Sequence, residues 1–154
     1  MQRIERDLGN GFLISTDKQK LNIELIHTFL SEESYWAKDI KREAVVKLIL
    51  NSPLCYGIYE ASTGNQAGFA RVVTDFVKFS WLADVFVLPE YRGHSLGKKL
   101  IQKIVSHPEL EGCRFMLATK DAHGLYEKYG FSSLENSEDF LMRPMDMKIV
   151  EKAL

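Results

Sequence analysis

The segment Arg92-Gly93-His94-Ser95-Leu96-Gly97-Lys98 stands between an apolar run, Val77 to Val87, and a stripe of Leu96, Leu100, Ile101, Ile104 and Val105 spaced as one face of a helix. A loop of small residues at a helix start is suited to an anion. The first N–H groups of a helix have no partners inside it, and the helix dipole adds partial positive charge there. A phosphate satisfies both. Two phosphate-loop spacings fail here. A P-loop needs four residues before its Gly-Lys pair and then Ser or Thr for magnesium, whereas three residues separate Gly93 from Gly97 and Lys99 follows Lys98. A dinucleotide fingerprint is interrupted by Ser95. The stretch Gly93 to Gly97 does satisfy the G-x-S-x-G pattern of a serine-hydrolase elbow. Against it, Leu88 to Arg92 separates the strand from Gly93, and the best acid–base pair after Ser95 is Asp121 with His123, on one helix start. A hydrolase using Ser95 stays as the alternative to an anion-binding loop.

Asp84 is the sole ionisable residue in the apolar run Phe79 to Leu88, where burial or a neighbouring charge perturbs a carboxylate. It could orient or deprotonate a cationic amine, or simply pair with Arg71 on the neighbouring strand; Asp75 and Glu33 are weaker candidates for a base. Tyr126 shares an apolar face with Ala122, Leu125 and Tyr129, so periodicity alone reads it as core. His94 and His123 lack ligand partners at useful spacing, and Cys55 and Cys113 lie outside any Cys/His ligand pattern. No metal is expected, and both thiols are expected to be free and buried.

These residues need elements to hold them. Gly11 to Thr16 reads as a first strand and Leu21 to Leu30 as a helix. A second helix is predicted within Tyr35 to Leu50, with Trp36, Ile40, Ala44 and Leu48 on one face and Pro53 forcing a stop. Three strands follow, Leu54 to Glu60, Gln66 to Thr74 and Val77 to Val87, as an antiparallel meander turning at Ser62-Thr63-Gly64-Asn65. After the Leu96 helix come a strand over Cys113 to Ala118, and a helix capped by Asp121, running through Tyr129 and ended by Gly130. A strand from Phe131, a last short strand at Phe140-Leu141-Met142, and a frayed or helical end from Lys148 to Leu154 complete the reading.

The 154 residues carry 20 Lys plus Arg against 21 Asp plus Glu. That balance gives no global field for nucleic acid or anionic membrane. With 45% hydrophobic residues and no repeats or linkers, the length suits one domain, residues 1–154. No signal-peptide-like or membrane-spanning run is present, which points to the cytoplasm.

Arg92-Gly93-His94-Ser95-Leu96-Gly97 resembles the Q/R-x-x-G-x-G/A pyrophosphate loop of the GNAT acyl-CoA N-acyltransferases, with Ser95 in place of the family's first glycine. A second block, Ala122-His123-Gly124-Leu125-Tyr126-Glu127-Lys128-Tyr129-Gly130-Phe131, is similar to the family's A-x-x-L-Y-E-K-x-G-F signature; Thr119 stands where the family usually has Asn. The resemblance implies an α/β fold with a mixed, mostly antiparallel sheet of six to seven strands and about four helices. It implies acetyl-CoA as co-substrate, transfer to a primary amine of a small molecule or protein, and the homodimer common in the superfamily; a silent acyl-CoA binding module on the same fold is a further alternative. By the same resemblance, main-chain groups of Val85, Phe86 and Val87 would hold the pantetheine arm. Arg92 and the N–H groups of Gly93, His94, Ser95, Leu96, Gly97 and Lys98 would hold the pyrophosphate, with Thr119 a further cofactor contact. Tyr126 would be the general acid for the departing thiolate, and Tyr35, Trp36 and Phe140 would line the acceptor site.

Overall fold

In the computed structural model, which describes residues 3–151, six strands form a single sheet in the order β1-β2-β3-β4-β5-β6. The strands are β1 (Glu5–Gly9), β2 (Phe12–Ser15), β3 (Leu54–Glu60), β4 (Gln66–Thr74), β5 (Phe79–Val87) and β6 (Arg114–Met116). All neighbours are antiparallel except β5 and β6, which are parallel. The helices are α1 (Ile23–Thr28), α2 (Arg42–Leu50), α3 (Leu96–Val105) and α4 (His123–Glu127). Ile26, Phe29, Val45 and Ile49 cover one face of the sheet with Cys55, Phe69 and Phe86. Leu100, Ile101, Ile104 and Tyr126 cover the other with Leu54, Tyr56, Val72 and Leu82. This is the expected sheet and helix complement.

The first strand escapes the sequence reading because Glu5–Gly9 is a polar edge strand with one buried residue, Leu8. It pairs with β2 through a turn whose Gly9, Asn10 and Gly11 all have positive φ. The second helix starts only at Arg42. Asp39, at φ 63°, breaks the path, so Trp36 and Ile40 continue the apolar period from a loop rather than from helix. Before it, α1 runs into a π-helical turn, Phe29–Glu33, closed by the Ser34 N–H on the Phe29 carbonyl. The Ser34 hydroxyl donates to the Leu30 carbonyl and accepts the Ala37 N–H, which fixes the path of Tyr35 and Trp36.

Expectations for the last helix and for the two strands after it change at the C-terminal side. Asp121 does not cap α4; the Thr119 hydroxyl accepts the Ala122 N–H instead, and α4 ends at Glu127. Phe131 to Leu134 and Phe140 to Met142, expected as strands, join no ladder among the described residues. The end is a 3-10 turn over Met147–Glu151, with residues 152–154 of the expected segment outside the described residues. Of the two free cysteines, Cys55 is buried and Cys113 only half-buried.

Candidate active site

Strand β5 changes face along its length. Arg71 of β4 faces Ala83 and Phe69 faces Phe86, so two residues of β5, Asp84 and Val85, stand against Ala70 alone. This is a β-bulge, and the extra residue reverses which side chains point to which face. Leu82 accordingly packs with α3 and Phe86 with α1 and α2, although both are even-numbered. Asp84 itself sits at φ 54°, a left-handed conformation that Asp tolerates better than most side chains.

The bulge coincides with a fork. Pairing between β5 and β6 ends at Trp81 with Met116, while β5 runs on to Val87. Val85, Phe86 and Val87 therefore have no strand partner on their β6 side, where an extended ligand could pair with main-chain groups as an added strand. At the end of β5 the chain makes a 3-10 turn, Pro89–Tyr91, and reaches Arg92, whose Nε donates to the Val87 carbonyl at 3.3 Å. Gly93 (φ 92°) and Ser95 (φ 58°) then turn it into α3. Across this loop, the six N–H groups from Gly93 to Lys98 have no hydrogen-bond acceptor among the described residues; the first to find one is Lys99, on the Ser95 carbonyl. The loop is open as well: a Cβ added at Gly93 or Gly97 would touch nothing within 4 Å. His94 packs against the Phe12 ring, with centroids 5.3 Å apart.

Tyr126 projects from α4 and is 8% exposed. Its hydroxyl has no hydrogen-bond partner among the described residues and borders a cavity of about 550 Å³ that Thr119 also lines. Burial pushes that hydroxyl up to about 12, with the Tyr35 and Asp121 charges adding to the effect. The ring packs against Phe131, edge on at 5.8 Å, as its apolar periodicity predicts, and the residue also lines the cavity.

The residues expected on the acceptor side, Tyr35 and Trp36, are joined to Asp84 by a chain of contacts. Lys120 N–H donates to the Tyr35 hydroxyl at 3.2 Å, and the Lys120 ammonium lies 4.9 Å from the Tyr35 ring centre. Tyr35 meets Trp36 edge on at 5.0 Å. The Trp36 indole N–H donates to Asp84 Oδ1 at 2.8 Å, and Arg71 Nε donates to Asp84 Oδ2 at 2.5 Å. Arg71 also reaches the Ser52 hydroxyl at 3.3 Å. Both carboxylate oxygens of Asp84 are therefore engaged, one by a full positive charge. Arg71 entered the sequence reading only as a structural partner for Asp84, yet it is the one basic residue in β4 and could have been singled out on that ground. Lys120 carried no such signal.

Phe140 is not brought to this cluster. Its ring stacks under the Arg114 guanidinium at 5.9 Å, and Arg114 pairs with Phe79 at the start of β5. Five residues of strand, about 16 Å at the rise of an extended chain, separate Phe79 from Asp84. The path of the chain after Phe131, which never returns along β6, accounts for the displacement.

The sequence profile of the Acetyltransferase (GNAT) family matches residues 23–131. A Gibberella zeae protein, FG08082, described as an acetyltransferase, is 30% identical over 138 residues, covering 76% of each chain. Mouse thialysine N-epsilon-acetyltransferase is 32% identical over 104 residues, which cover 64% of this chain and 54% of the mouse protein. A crystal structure from Xanthomonas campestris, described as a GNAT-family acetyltransferase, is 44% identical with a TM-score of 0.83, covering 87% of this chain and 93% of that one. The profile spans the π-turn, the bulge, the open N–H loop and the Tyr126 helix together. The chain belongs to the GNAT family of acetyltransferases.

Proposed function

We propose that the chain works as one N-acetyltransferase domain, moving an acetyl group directly from acetyl-CoA to a primary amine. The observation that carries the reading is the row of six unpartnered N–H groups at the start of a ten-residue helix, next to the free side of a forked strand. A pyrophosphate can be held by the row and a pantetheine arm by the fork. Arg92, exposed at the loop, adds a charge. A lysine-type aliphatic amine is the acceptor class suggested by the thialysine acetyltransferase relatives and by the aromatic pair Tyr35 and Trp36 beside Asp84.

In the reaction, the neutral amine attacks the thioester carbonyl, the C–S bond breaks, and the thiolate leaves. Main-chain N–H groups at the bulge are the available donors for the carbonyl oxygen. Asp84 acts by orientation: Arg71 on one oxygen and Trp36 on the other fix the carboxylate in place, its charge draws the cationic amine, and the amine loses its proton to water. Tyr126 supplies a hydrogen bond to the departing sulfur. The chemistry is cytoplasmic in this reading, in keeping with the absence of a helix long and apolar enough to cross a membrane among the described residues.

Free-thiol release from acetyl-CoA that depends on an added amine tests the reading directly; no release with any of a panel of aliphatic amines, amino sugars and peptide amines would overturn it. Within that assay, Arg92→Glu weakens coenzyme A binding by about 1.5 to 3 kcal/mol, roughly ten- to a hundredfold in Kd by calorimetry, as loss of a charge-assisted contact should. Ser95→Gly separates the transferase from a serine hydrolase. Ser95 occupies the left-handed region, which costs a side chain about 1 to 2 kcal/mol, partly offset by the roughly 0.4 to 1 kcal/mol of chain freedom that glycine loses. The variant should melt slightly higher and keep full amine-dependent turnover. A folded Ser95→Gly protein without turnover would make the hydroxyl a nucleophile.

A further inference from the structure

Lys120 stands at the rim of the Tyr35 and Trp36 cluster with a charge that is unpaired among the described residues. Its backbone N–H donates to the Tyr35 hydroxyl at 3.2 Å, and its ammonium lies 4.9 Å from the centre of the same ring. Main chain and side chain are thus both fixed on Tyr35. An ammonium has three donors, and among the described residues Lys120 Nζ meets neither a carboxylate nor any other acceptor. Asp121, the nearest acid in the chain, lies 3.5 Å from the Thr119 hydroxyl instead. A cation resting on an aromatic face keeps its remaining N–H groups free for a ligand.

The opposite charge lies at the inner end of the same row of contacts. Tyr35 meets Trp36 edge on at 5.0 Å, and the Trp36 indole N–H reaches Asp84 at 2.8 Å. Tyr35 is 46% exposed and Asp84 only 8%. The row therefore runs inward from a cation at the rim, across two aromatic side chains, to a buried carboxylate. It also lies near the reacting end of the cleft, since burial first, and the neighbouring Tyr35 next, raise the Tyr126 hydroxyl. A diamine entering this row is attracted at the inner end and repelled at the rim. An acceptor with an ammonium at one end and a carboxylate at the other is attracted at both.

We propose that the acceptor is a zwitterion, an aliphatic amine with a carboxylate at its other end: the amine enters towards Asp84, and Lys120 holds the carboxylate at the rim of Tyr35. Lys120 then sets specificity, and Tyr35 with Trp36 forms the wall between the two charges. This assignment rests on the transferase reading above and names the acceptor's second charge.

Amine-dependent thiol release by the full chain tests it, with L-lysine, L-ornithine and ω-aminohexanoate each set beside its own carboxamide and the diamine of matching length. At least one carboxylate should exceed its carboxamide by about tenfold or more in kcat/KM, as a hydrogen bond to a charged group allows. Lys120→Met keeps the N–H to Tyr35 and should bring that ratio within about threefold, chiefly by raising KM for the carboxylate. Lys120→Arg should retain the preference, and Lys120→Glu should turn it towards the diamine. A merely structural role for Lys120 would scale all acceptors alike and leave the ratio untouched. Turnover with no preference for the carboxylate, or a preference that survives Lys120→Met, overturns the assignment and leaves the transferase standing. No thiol release with any amine overturns the transferase reading, and the zwitterionic acceptor with it.

Discussion

Tyr126→Phe should lower kcat for acetyl transfer by about 10² to 10³ while leaving coenzyme A affinity nearly unchanged. The size follows from what the hydroxyl can do where it sits. Burial pushes it up to about 12, whereas a free thiol titrates near 8 to 9. Full proton transfer from the phenol to the departing thiolate is then uphill by about three units, or roughly 4 kcal/mol at 1.36 kcal/mol per unit. A hydrogen bond donated to the developing sulfur anion has no such cost, and removing one donor from a water-poor site is typically worth 10² to 10³ in rate. The ring is retained, so the edge-on contact with Phe131 survives and the melting temperature should barely move. Tyr129→Phe, on the following turn, is the control and should change turnover less than about tenfold. Full turnover by Tyr126→Phe would leave the tyrosine a core residue.

The same pKa has a consequence for pH. The hydroxyl stays protonated through the neutral and mildly alkaline range, so the rate profile should show no alkaline loss from Tyr126 there. An unfolded tyrosine releases its proton near 10 and this one near 12, so in that interval the folded chain binds more protons than the unfolded one. Stability therefore falls as pH rises from about 10 towards 12.

Much of the fold was legible where a residue's neighbours in sequence decide its structure. Strands β3 and β4 have the predicted limits because apolar runs are bounded by turn residues, and α3 follows its apolar stripe from Leu96 to Val105. The Arg92–Lys98 loop was readable for the same reason: its row of unpartnered N–H groups is made of consecutive backbone groups. What escaped depends on distant partners. The bulge at Asp84 is set by how β5 meets β4, and alternation along Phe79 to Val87 does not record that it changes face halfway. Phe140 was placed with Tyr35 and Trp36 by analogy, but its position follows from a chain end that leaves β6 unpaired. Trp36 and Ile40 show the opposite error, since residues spaced every four can bury themselves from a loop when Asp39 interrupts the helix.

Arg71→Met should destabilise the protein by about 3 to 5 kcal/mol, the usual cost of removing one partner from a buried ion pair. The side chains of Arg71 and Asp84 are only 14% and 6% exposed, so water screens neither. Without the guanidinium, Asp84 keeps only the Trp36 indole, and a carboxylate with one neutral donor is held out of water at the bulge. The backbone there cannot relax cheaply, because Asp84 is already at positive φ between two paired stretches of β5. At about 2 to 4 °C per kcal/mol for a chain of this size, the melting temperature should drop by about 6 to 20 °C. Adding Asp84→Asn removes the stranded charge while keeping an acceptor for Trp36 and a side chain that tolerates the left-handed region. The double variant should therefore recover most of the loss, giving a coupling energy of about 2 kcal/mol or more in a double-mutant cycle. Turnover should not follow stability. If Asp84 orients the acceptor through its charge, Arg71→Met/Asp84→Asn melts close to the parent but binds a cationic amine weakly, with a raised KM. A double variant with both parental stability and parental KM would reduce the pair to a structural clasp on the bulge.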